Sequence, residues 1–407
     1  MNLESFVLYD RVHQCVTLSG VASKKGRGIT TEDLGVIENA AMVVDSNTAR
    51  IVWIGKSDQI PQQYQQIPNR FDCDGEVWIP ELIECHTHLI FAGDRSHDFA
   101  MRASGKTYSE IAAQGGGILT TLSHTREASF EELLENAKLE IDRFQKWGVG
   151  TLEIKSGYGL SLESELKILK CIQVLQTQVP VQLIPTFMPA HAVPPEYKNR
   201  SDDYVSLICS EWIPEVAQAK LAQYFDVFIE DGFFSVSQAE KLCLVAQDHD
   251  LQIKIHADQF KSLGGTSLAV RLNAQSVDHL DQISPQDIEA LSKSNTVAVL
   301  CPGASLFTGT PYAPARKLID SGARVALTTD FNPGTCPSRN LPLMTTLACA
   351  QMKMTIPEAI AGITYNAAAA LGLENEIGSL EVGKQFRVCQ LKADSYESLP
   401  YCFGELD

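Results

Sequence analysis

From about residue 80 onward, short apolar segments with strand character alternate with longer segments of helical periodicity. Alternation of this kind predicts parallel strands joined by crossover helices, because parallel neighbours cannot be connected by a tight turn. The strand segments are the one around His86 and His88 and residues 151–154, 181–185, 226–229, 251–255, 276–277, 296–300 and 324–327. The helical segments are residues 131–147, 163–175, 237–247, 263–272, 285–292, 313–321 and 357–371. Eight such units predict an α/β fold, a closed (β/α)8 barrel of the TIM type.

The two chain ends follow a different pattern. Residues 1–78 alternate short apolar runs with turn residues, and similar runs return at 379–380 and 386–391. We therefore expect the barrel, residues 79–372, to be inserted into a small β-sandwich domain built from residues 1–78 and 373–407. Within the first part, the glycines and basic residues of segment 24–31 predict a mobile loop.

Composition limits the partners of this chain. The 407 residues are 44% hydrophobic and 20% charged, which is ordinary for a soluble globular protein, and no apolar run has the roughly 20 residues of a membrane span. The first residues lack a basic leader followed by an apolar core, so we expect a cytoplasmic protein. A net charge of −17 argues against binding to nucleic acids or anionic membranes. The eleven cysteines lack a Cys-x-x-Cys pair, which favours reduced thiols.

The stretch from Pro80 to Arg95 carries two histidines one residue apart. Because side chains of a strand alternate between its faces, His86 and His88 should point the same way and could share one metal ion. The alternative is a pair of surface histidines on a strand edge. Flanking residues such as Leu82 and Ile90 favour a buried strand instead, where unpaired imidazoles would need a partner.

Further polar residues follow the later strands, where a barrel keeps its active site. With the first two histidines, His256 and Asp330 make three imidazoles and one carboxylate, a ligand set for Zn²⁺ or iron with a position left for water. Such a metal lowers the pKa of its water from about 15.7 to about 7. Asp330 could then carry a proton to a leaving nitrogen, although alone it could be a helix cap. His279 could polarise a carbonyl or be a core histidine bonded to backbone.

Other candidates have equally plain alternatives. Gln259, three residues after His256, could reach the cavity or be an exposed loop amide. Arg95 offers a fork for a carboxylate but could be a surface arginine. Tyr158 lies between two glycines and His191 near a Pro-Pro turn, so either could be loop packing. His97 has no clear assignment.

Six motifs in this order carry a resemblance to a known family. They are residues 86–95, Gly-Gly-Gly-Ile (115–118), Lys-Ser-Gly-Tyr-Gly-Leu (155–160), His-Ala-Asp-Gln (256–259), Asp-His-Leu (278–280) and Thr-Asp-Phe-Asn-Pro-Gly-Thr (329–335). Together they resemble the imidazolonepropionase family of the amidohydrolase superfamily, from the N-terminal β segment to about residue 405. The resemblance implies hydrolysis of 4-imidazolone-5-propanoate to N-formimino-L-glutamate, a step of histidine breakdown in the cytoplasm.

Carried over by position, the resemblance also implies roles for single residues. One zinc or iron(III) ion per subunit would be held by His86, His88, His256 and Asp330, and metal-bound hydroxide would attack the ring carbonyl near His279 while Asp330 moves the proton. Some family members have glutamate where this chain has Gln259, and because an amide cannot carry a proton, Gln259 is expected to orient the substrate. The substrate pocket would be formed by Arg95, Tyr158, His191, Gln259, Asn332, Gly334 and Thr335.

The chain departs from the family pattern at the junction of its two predicted domains. Glu81 and Glu84 stand where the family usually has Gly and Asp, and Glu81 is expected to strain a turn that favours glycine. Residues 385–388 replace a small residue, Asp and an apolar strand, and the chain stops at Asp407, short of a final strand. These differences are expected to affect stability or assembly more than chemistry.

Two other functions stay open on the sequence. Another mononuclear amidohydrolase, such as a deaminase or cyclic amidase, would have the same metal ligands, but Arg95, Tyr158 and residues 332–335 favour a small anionic substrate that carries a carboxylate. A non-catalytic relative would be expected to have lost ligands that this chain keeps. Neither zinc nor iron is preferred by this ligand set, and a homodimer is expected as the commonest closed assembly.

Overall fold

The structure is a computed structural model that describes residues 3–106, 110 and 116–405. Its smaller sheet contains strands from both chain ends, as predicted, in the order β14-β5-β1-β2-β3 with β4 paired to β1. These six strands form one hydrogen-bonded sheet. Their bounds are β1 Phe6–Val16, β2 Val36–Asp45, β3 Arg50–Lys56, β4 Asn69–Asp72, β5 Val77–Pro80 and β14 Val388–Leu391.

The larger sheet has eight parallel strands that neighbour one another in chain order. They are β6 Leu82–Glu84, β7 Val149–Lys155, β8 Gln182–Ala190, β9 Tyr224–Ile229, β10 Gln252–Ala257, β11 Ser276–His279, β12 Val297–Leu300 and β13 Val325–Leu327. Amide N–H of His88 donates to the carbonyl of Phe331 at 2.9 Å, and Thr87 pairs with Phe331 in a parallel bridge. The sheet therefore curls until its outer strands meet just beyond their carboxyl ends, which confirms the predicted fold class.

Helices follow most strands of the larger sheet and cover its outer face. The helix α4, Phe130–Lys146, is an example of how the sequence forms these helices. Ser129 caps its first turn by accepting from the Glu132 amide, and its buried stripe is Leu133, Ala137, Ile141 and Phe144. The helices of the described residues are α1 Ser19–Ser23, α2 Ser96–Ala103, α3 Ile118–Glu127, α4 Phe130–Lys146, α5 Leu162–Leu175, α6 Ser201–Leu207, α7 Ile213–Gln218, α8 Val236–Asp248, α9 Gly265–Arg271, α10 Pro285–Ser292, α11 Pro302–Thr308, α12 Ala315–Ser321, α13 Leu341–Met352, α14 Ile356–Gly362, α15 Tyr365–Ala370 and α16 Ser398–Tyr401.

Some local predictions are wrong. The first barrel strand ends at Glu84, so His86 and His88 lie beyond it rather than on it. The single helix predicted over 357–371 is two helices, because the backbone at Thr364, with φ −129° and ψ −94°, is not helical. Glu81 does not occupy the left-handed region, so the strain expected there is not found.

Segment 24–31 is also not the mobile loop that its glycines predicted. The Arg27 guanidinium donates to the Ser292 carbonyl at 3.0 Å and also binds those of Ser294 and Gly322. The Asn366 side chain donates to the Gly26 carbonyl at 3.2 Å. These bonds fix the segment beneath the amino ends of the barrel strands.

Three further observations concern the chain as a whole. The passage from one sheet to the other falls between Pro80 and Leu82, and the domain boundaries at 78/79 and 372/373 remain a prediction. None of the eleven cysteines is in a disulfide. Among the helices described, none has the length and apolar character needed to cross a bilayer.

Candidate active site

His86 and His88 lie on an extended segment between β7 and the chain that follows β13. The Thr87 hydroxyl donates to the Glu153 carbonyl at 2.6 Å, and the Thr87 carbonyl accepts from the Lys155 amide at 2.9 Å. Because Thr87 is held outward, both imidazoles point into the barrel, with ring centroids 5.4 Å apart. Extended backbone rather than strand pairing therefore gives the side-chain alternation that the sequence predicted.

Four buried side chains bring ligand atoms together at this end of the barrel. Nε2 of His86 lies 3.4 Å from Oδ1 of Asp330, and Nε2 of His88 lies 3.3 Å from Nε2 of His256. Ligands about 2.0–2.1 Å from a tetrahedral metal are about 3.3 Å from one another, so these separations fit a shared ion. Nε2 of His86 is buried and has no hydrogen-bond partner in the described residues. The donor set therefore suits one zinc or iron ion.

Two carboxylates hold the far sides of these imidazoles. Oδ2 of Asp278 lies 2.6 Å from Nδ1 of His86, and Oδ1 of Asp226 lies 3.0 Å from Nδ1 of His256. Each of these contacts favours the tautomer with the proton on Nδ1, which leaves Nε2 as an acceptor facing the centre. Carboxylates behind ligand histidines are typical of protein metal sites, where they fix ring orientation and raise ligand basicity.

A fully buried ion cluster supports these carboxylates. Nζ of Lys155 lies 2.9 Å from Glu153, 2.8 Å from Asp226 and 3.7 Å from Asp278, and Nζ of Lys254 lies 2.9 Å from Glu153. Burial alone would lower the pKa of Lys155, but the three carboxylates raise it overall, so this lysine stays charged. The two lysines compensate part of the negative charge of the three carboxylates.

His86, His88, His191 and His279 are neutral because their pKa values are lowered. Burial lowers the pKa of His86, His88 and His279 well below the usual value, and neighbouring cationic groups lower it further. Burial likewise lowers the pKa of His191 to about 3. Neutral imidazole is the form that binds metals, so no proton has to be displaced from these rings at pH 7.

Unusual backbone conformations mark the same end of the barrel. His279 has φ 83° and Asp330 has φ 54°, in the left-handed region that non-glycine residues seldom adopt. Such conformations cost energy and persist only where the surrounding structure fixes them, which is common at functional sites. Here they turn both side chains toward the histidines.

Tyr158 and His191 lie beside the His88 ring, and Arg95 lies against Gly334. The His191 ring stacks on His88 at 4.6 Å between centroids, and the Tyr158 ring lies 5.7 Å from that of His88. Nε of Arg95 donates to the Thr121 hydroxyl at 2.9 Å. A Cβ at Gly334 would lie 2.4 Å from a terminal nitrogen of Arg95, so glycine leaves room for the guanidinium there.

Asn332 and Thr335 are turned toward their own loop. The Asn332 amide donates to the Asp330 carbonyl at 2.7 Å and to the Thr335 hydroxyl at 2.8 Å, while its oxygen accepts from the Gly334 and Thr335 amides. The Thr335 hydroxyl lies 3.3 Å from Oδ2 of Asp330. These two side chains therefore hold Asp330 in place.

Gln259 and His97 are less buried than the four proposed ligand side chains. Gln259 is partly exposed on the loop after β10, and His97 is exposed on α2. Gly115 of the Gly-Gly-Gly-Ile motif lies outside the described residues. Roles for Asp226, Asp278 and Cys301 were not predicted from the sequence. The two aspartates are acidic residues within apolar strands, which is a signal visible in the sequence. Cys301 has no such signal, yet its thiol lies within 4.8 Å of ligand atoms of His279 and Asp330.

Comparison with known proteins gives the following matches. Residues 218–389 match the model of the amidohydrolase family. The imidazolonepropionase of Bdellovibrio bacteriovorus is 45% identical over 407 residues, covering 100% of this chain and 95% of that protein. The imidazolonepropionase of Shouchella clausii is 41% identical over 394 residues, covering 96% of this chain and 88% of the relative.

Among solved structures, an adenosine deaminase from Xanthomonas campestris with bound zinc superposes with a TM-score of 0.70, over 95% of this chain and 84% of the deaminase. Its sequence identity is 15%, so the likeness concerns the fold alone.

Proposed function

The chain belongs to the imidazolonepropionase family of amidohydrolases, and on that premise we propose that it opens the ring of 4-imidazolone-5-propanoate at the centre formed by His86, His88, His256 and Asp330. It is a hydrolase that acts on a small molecule in histidine degradation. The observation that carries the assignment of this centre is the pair of donor separations, 3.4 Å and 3.3 Å, among four buried ligand groups.

A bound zinc or iron(III) ion would acidify a water molecule so that it becomes a nucleophile near neutral pH. His86, His88, His256 and Asp330 would hold one such ion per subunit. The Asp278 and Asp226 carboxylates would keep the Nδ1 protons of His86 and His256 in place throughout the reaction.

Asp330 is the proposed proton carrier. Water adds to the ring carbonyl carbon, the bond from that carbon to the ring nitrogen breaks, and the proton lost by water must reach the leaving nitrogen. Oδ1 of Asp330 faces His86 and its Oδ2 is steadied by the Thr335 hydroxyl, so the carboxylate can accept the proton without reorienting. His279, whose buried Nδ1 has no partner in the described residues, would stabilise charge on the carbonyl oxygen.

The propanoate group of the substrate would bind Arg95. The Nε of Arg95 is already fixed by Thr121, which leaves the terminal nitrogens for a carboxylate. Tyr158 and His191 would pack against the ring, and Gln259 and Gly334 would complete the pocket, while Asn332 and Thr335 act through the loop that carries Asp330. In a protein of net charge −17, a local cation of this kind is needed to bind an anion.

We also infer a cytoplasmic homodimer that binds neither nucleic acid nor membrane. The net charge of −17 supports the absence of nucleic-acid and membrane binding because it repels phosphate backbones and anionic lipids. Symmetric dimers are the commonest closed assembly, which supports the homodimer.

The test follows 4-imidazolone-5-propanoate by absorbance and N-formimino-L-glutamate by mass spectrometry. We expect the purified metal-loaded protein to convert one into the other and Asp330→Asn to lose nearly all turnover. Asp287→Asn, a change in another buried carboxylate that accepts from the Ser284 hydroxyl in the first turn of α10, should keep the turnover. Hydantoin, a cyclic amide without a carboxylate, should not react. Hydrolysis of hydantoin with no loss of 4-imidazolone-5-propanoate would overturn the proposed substrate, and a largely active Asp330→Asn enzyme would overturn the proton carrier.

A further inference from the structure

A second cavity, of about 650 Å³, lies at the end of the barrel opposite the histidines. One wall is formed by Gln275, Thr296 and Arg324, which immediately precede β11, β12 and β13. The other wall includes Glu374 and, from the fixed segment after α1, Lys25. The active centre lies beyond the carboxyl ends of the strands, so the two sites are separated by the length of the barrel.

Arg324 has no hydrogen-bond partner for its guanidinium in the described part of the chain. Its exposure is 6%, its Nε is unpartnered, and its ion-pair contact is to Glu374, with NH1 3.9 Å from Oε1. That distance is too long for a hydrogen bond. Nearby Arg27, by contrast, donates to three backbone carbonyls. The terminal nitrogens of Arg324, unlike its Nε, are not enclosed, and with no acceptor among the described residues they are available to a ligand in the cavity.

Two more polar groups of the same cavity also lack partners among the described residues. They are Oε2 of Glu374 and the hydroxyl of Thr296, which is 2% exposed. The cavity therefore offers an unused acceptor beside unused donors. Native proteins satisfy nearly all buried polar groups, so three such groups around one space indicate a polar ligand that carries both an anion and a donor.

The charged residues that line the cavity limit the class of ligand that can bind there. The residues that line the cavity include two cations, Lys25 and Arg324, and one carboxylate, Glu374, in a chain with net charge −17. A ligand with net negative charge balances the excess of cations.

We propose that this cavity is a second binding site for a small dicarboxylic amino acid. One carboxylate would fit the fork of Arg324 and also accept from the Thr296 hydroxyl. The nitrogen cation of the ligand would donate to Oε2 of Glu374, and the second carboxylate would reach Lys25. This assignment does not depend on the reaction at the histidines, although N-formimino-L-glutamate, with two carboxylates and a nitrogen cation, belongs to the same class.

The experiment is calorimetric titration of the metal-loaded protein with L-glutamate. L-Glutamate could also enter the catalytic pocket, so variants are needed to separate the two sites. We expect Arg95→Ala to retain one bound glutamate per chain. Arg324→Gln should lose at least about tenfold in affinity at the second site, as expected for losing a charged hydrogen-bonded contact. Lys25→Ala, a change at an exposed residue, should weaken binding, whereas Lys138→Ala on the outer face of α4 should leave it unchanged.

A second probe tests the role of Glu374. Succinate, which has two carboxylates and no ammonium group, should bind more weakly than L-glutamate, and Glu374→Gln should abolish that difference. Arg324→Lys, which keeps the charge, serves as the variant if Arg324→Gln fails to fold, and it should retain part of the affinity. Binding that is lost in Arg95→Ala but unchanged in Arg324→Gln and Lys25→Ala, or no binding of L-glutamate at millimolar concentration, would overturn the proposal and leave a solvent-filled cavity.

Discussion

Glu81 and Arg387 form an ion pair at the junction of the two sheets, with NH1 of Arg387 3.3 Å from Oε2 of Glu81. Glu81 lies between β5 and β6, and Arg387 precedes β14. Both residues occupy positions where the sequence departs from its family pattern, and the structure shows that the two departures contact each other. Glu81 also accepts from the Thr151 hydroxyl at 2.8 Å, so its carboxylate links the small sheet to β7.

This pair predicts a coupled effect on stability. Glu81 is 5% exposed, and burial raises the pKa of its carboxyl even though Arg387 opposes the shift. Arg387→Gln should therefore cost about 1–3 kcal/mol of unfolding free energy, less than a fully buried pair because Arg387 is partly exposed. In urea unfolding, Glu81→Gln combined with Arg387→Gln should recover about 1 kcal/mol relative to the sum of the single changes. Additive costs would show that the pair is not coupled.

Asp278→Asn should weaken metal binding about 10–100-fold, because the amide cannot hold the Nδ1 proton of His86 as a carboxylate does. Competition with a chromogenic chelator measures this affinity without reference to activity. Asp287→Asn, at a buried carboxylate in the first turn of α10, is the matched control and should bind metal like the unchanged protein. Equal affinity in Asp278→Asn would mean that the contact does not tune the site.

Arg95→Ala should raise KM about 10–100-fold with a smaller change in kcat. The guanidinium is expected to bind a carboxylate that does not react, and a charged hydrogen bond contributes about 1.5–3 kcal/mol. Steady-state kinetics with 4-imidazolone-5-propanoate separate the two constants. Arg143→Ala, on the exposed face of α4, should change neither. If kcat fell while KM stayed constant, Arg95 would act in the chemical step.

The Arg316–Glu358 pair predicts a pH-dependent contribution to stability. Burial would raise the pKa of Glu358, but two 2.9 Å hydrogen bonds from Arg316 help lower it overall. A carboxyl whose folded pKa lies below its unfolded value stabilises the fold above about pH 4.5 and loses that contribution as the pH falls through the folded pKa. Arg316→Gln should thus cost about 1 kcal/mol in urea unfolding at about pH 7 and clearly less at about pH 4. A cost independent of pH would contradict this.

The closeness of the four proposed metal ligands could be predicted from sequence because a barrel places the carboxyl ends of all its strands together. Because His256 and Asp330 each follow a strand of the barrel, the predicted fold implies that they lie near His86 and His88. Asp226 and Asp278 were visible as acidic residues in apolar strands, but their contact with particular imidazoles depends on register between strands that sequence does not give. Helix α13 was missed because buried residues surround it, so it has no polar face and no periodicity.

Other features depend on contacts between distant parts of the chain. Glu81 and Arg387 are 306 residues apart, and neither position alone indicates its partner. Segment 24–31 has the composition of a flexible loop, yet Arg27 binds backbone carbonyls that become available only where barrel helices and turns end. The sequence placed Asn332 in the substrate pocket, but its oxygen forms an Asx-type turn and its amide N–H groups donate within the same loop.

The central claim is that one metal ion, held by His86, His88, His256 and Asp330, is required for hydrolysis. The most direct measurement returns zinc or iron in steps to chelator-stripped protein while recording the metal bound per chain and the rate of loss of 4-imidazolone-5-propanoate. We predict no rate without metal, a linear rise, and a plateau at one ion per chain, with no recovery in His86→Ala. Full activity of the stripped protein, or recovery in His86→Ala at one ion per chain, would contradict the assignment.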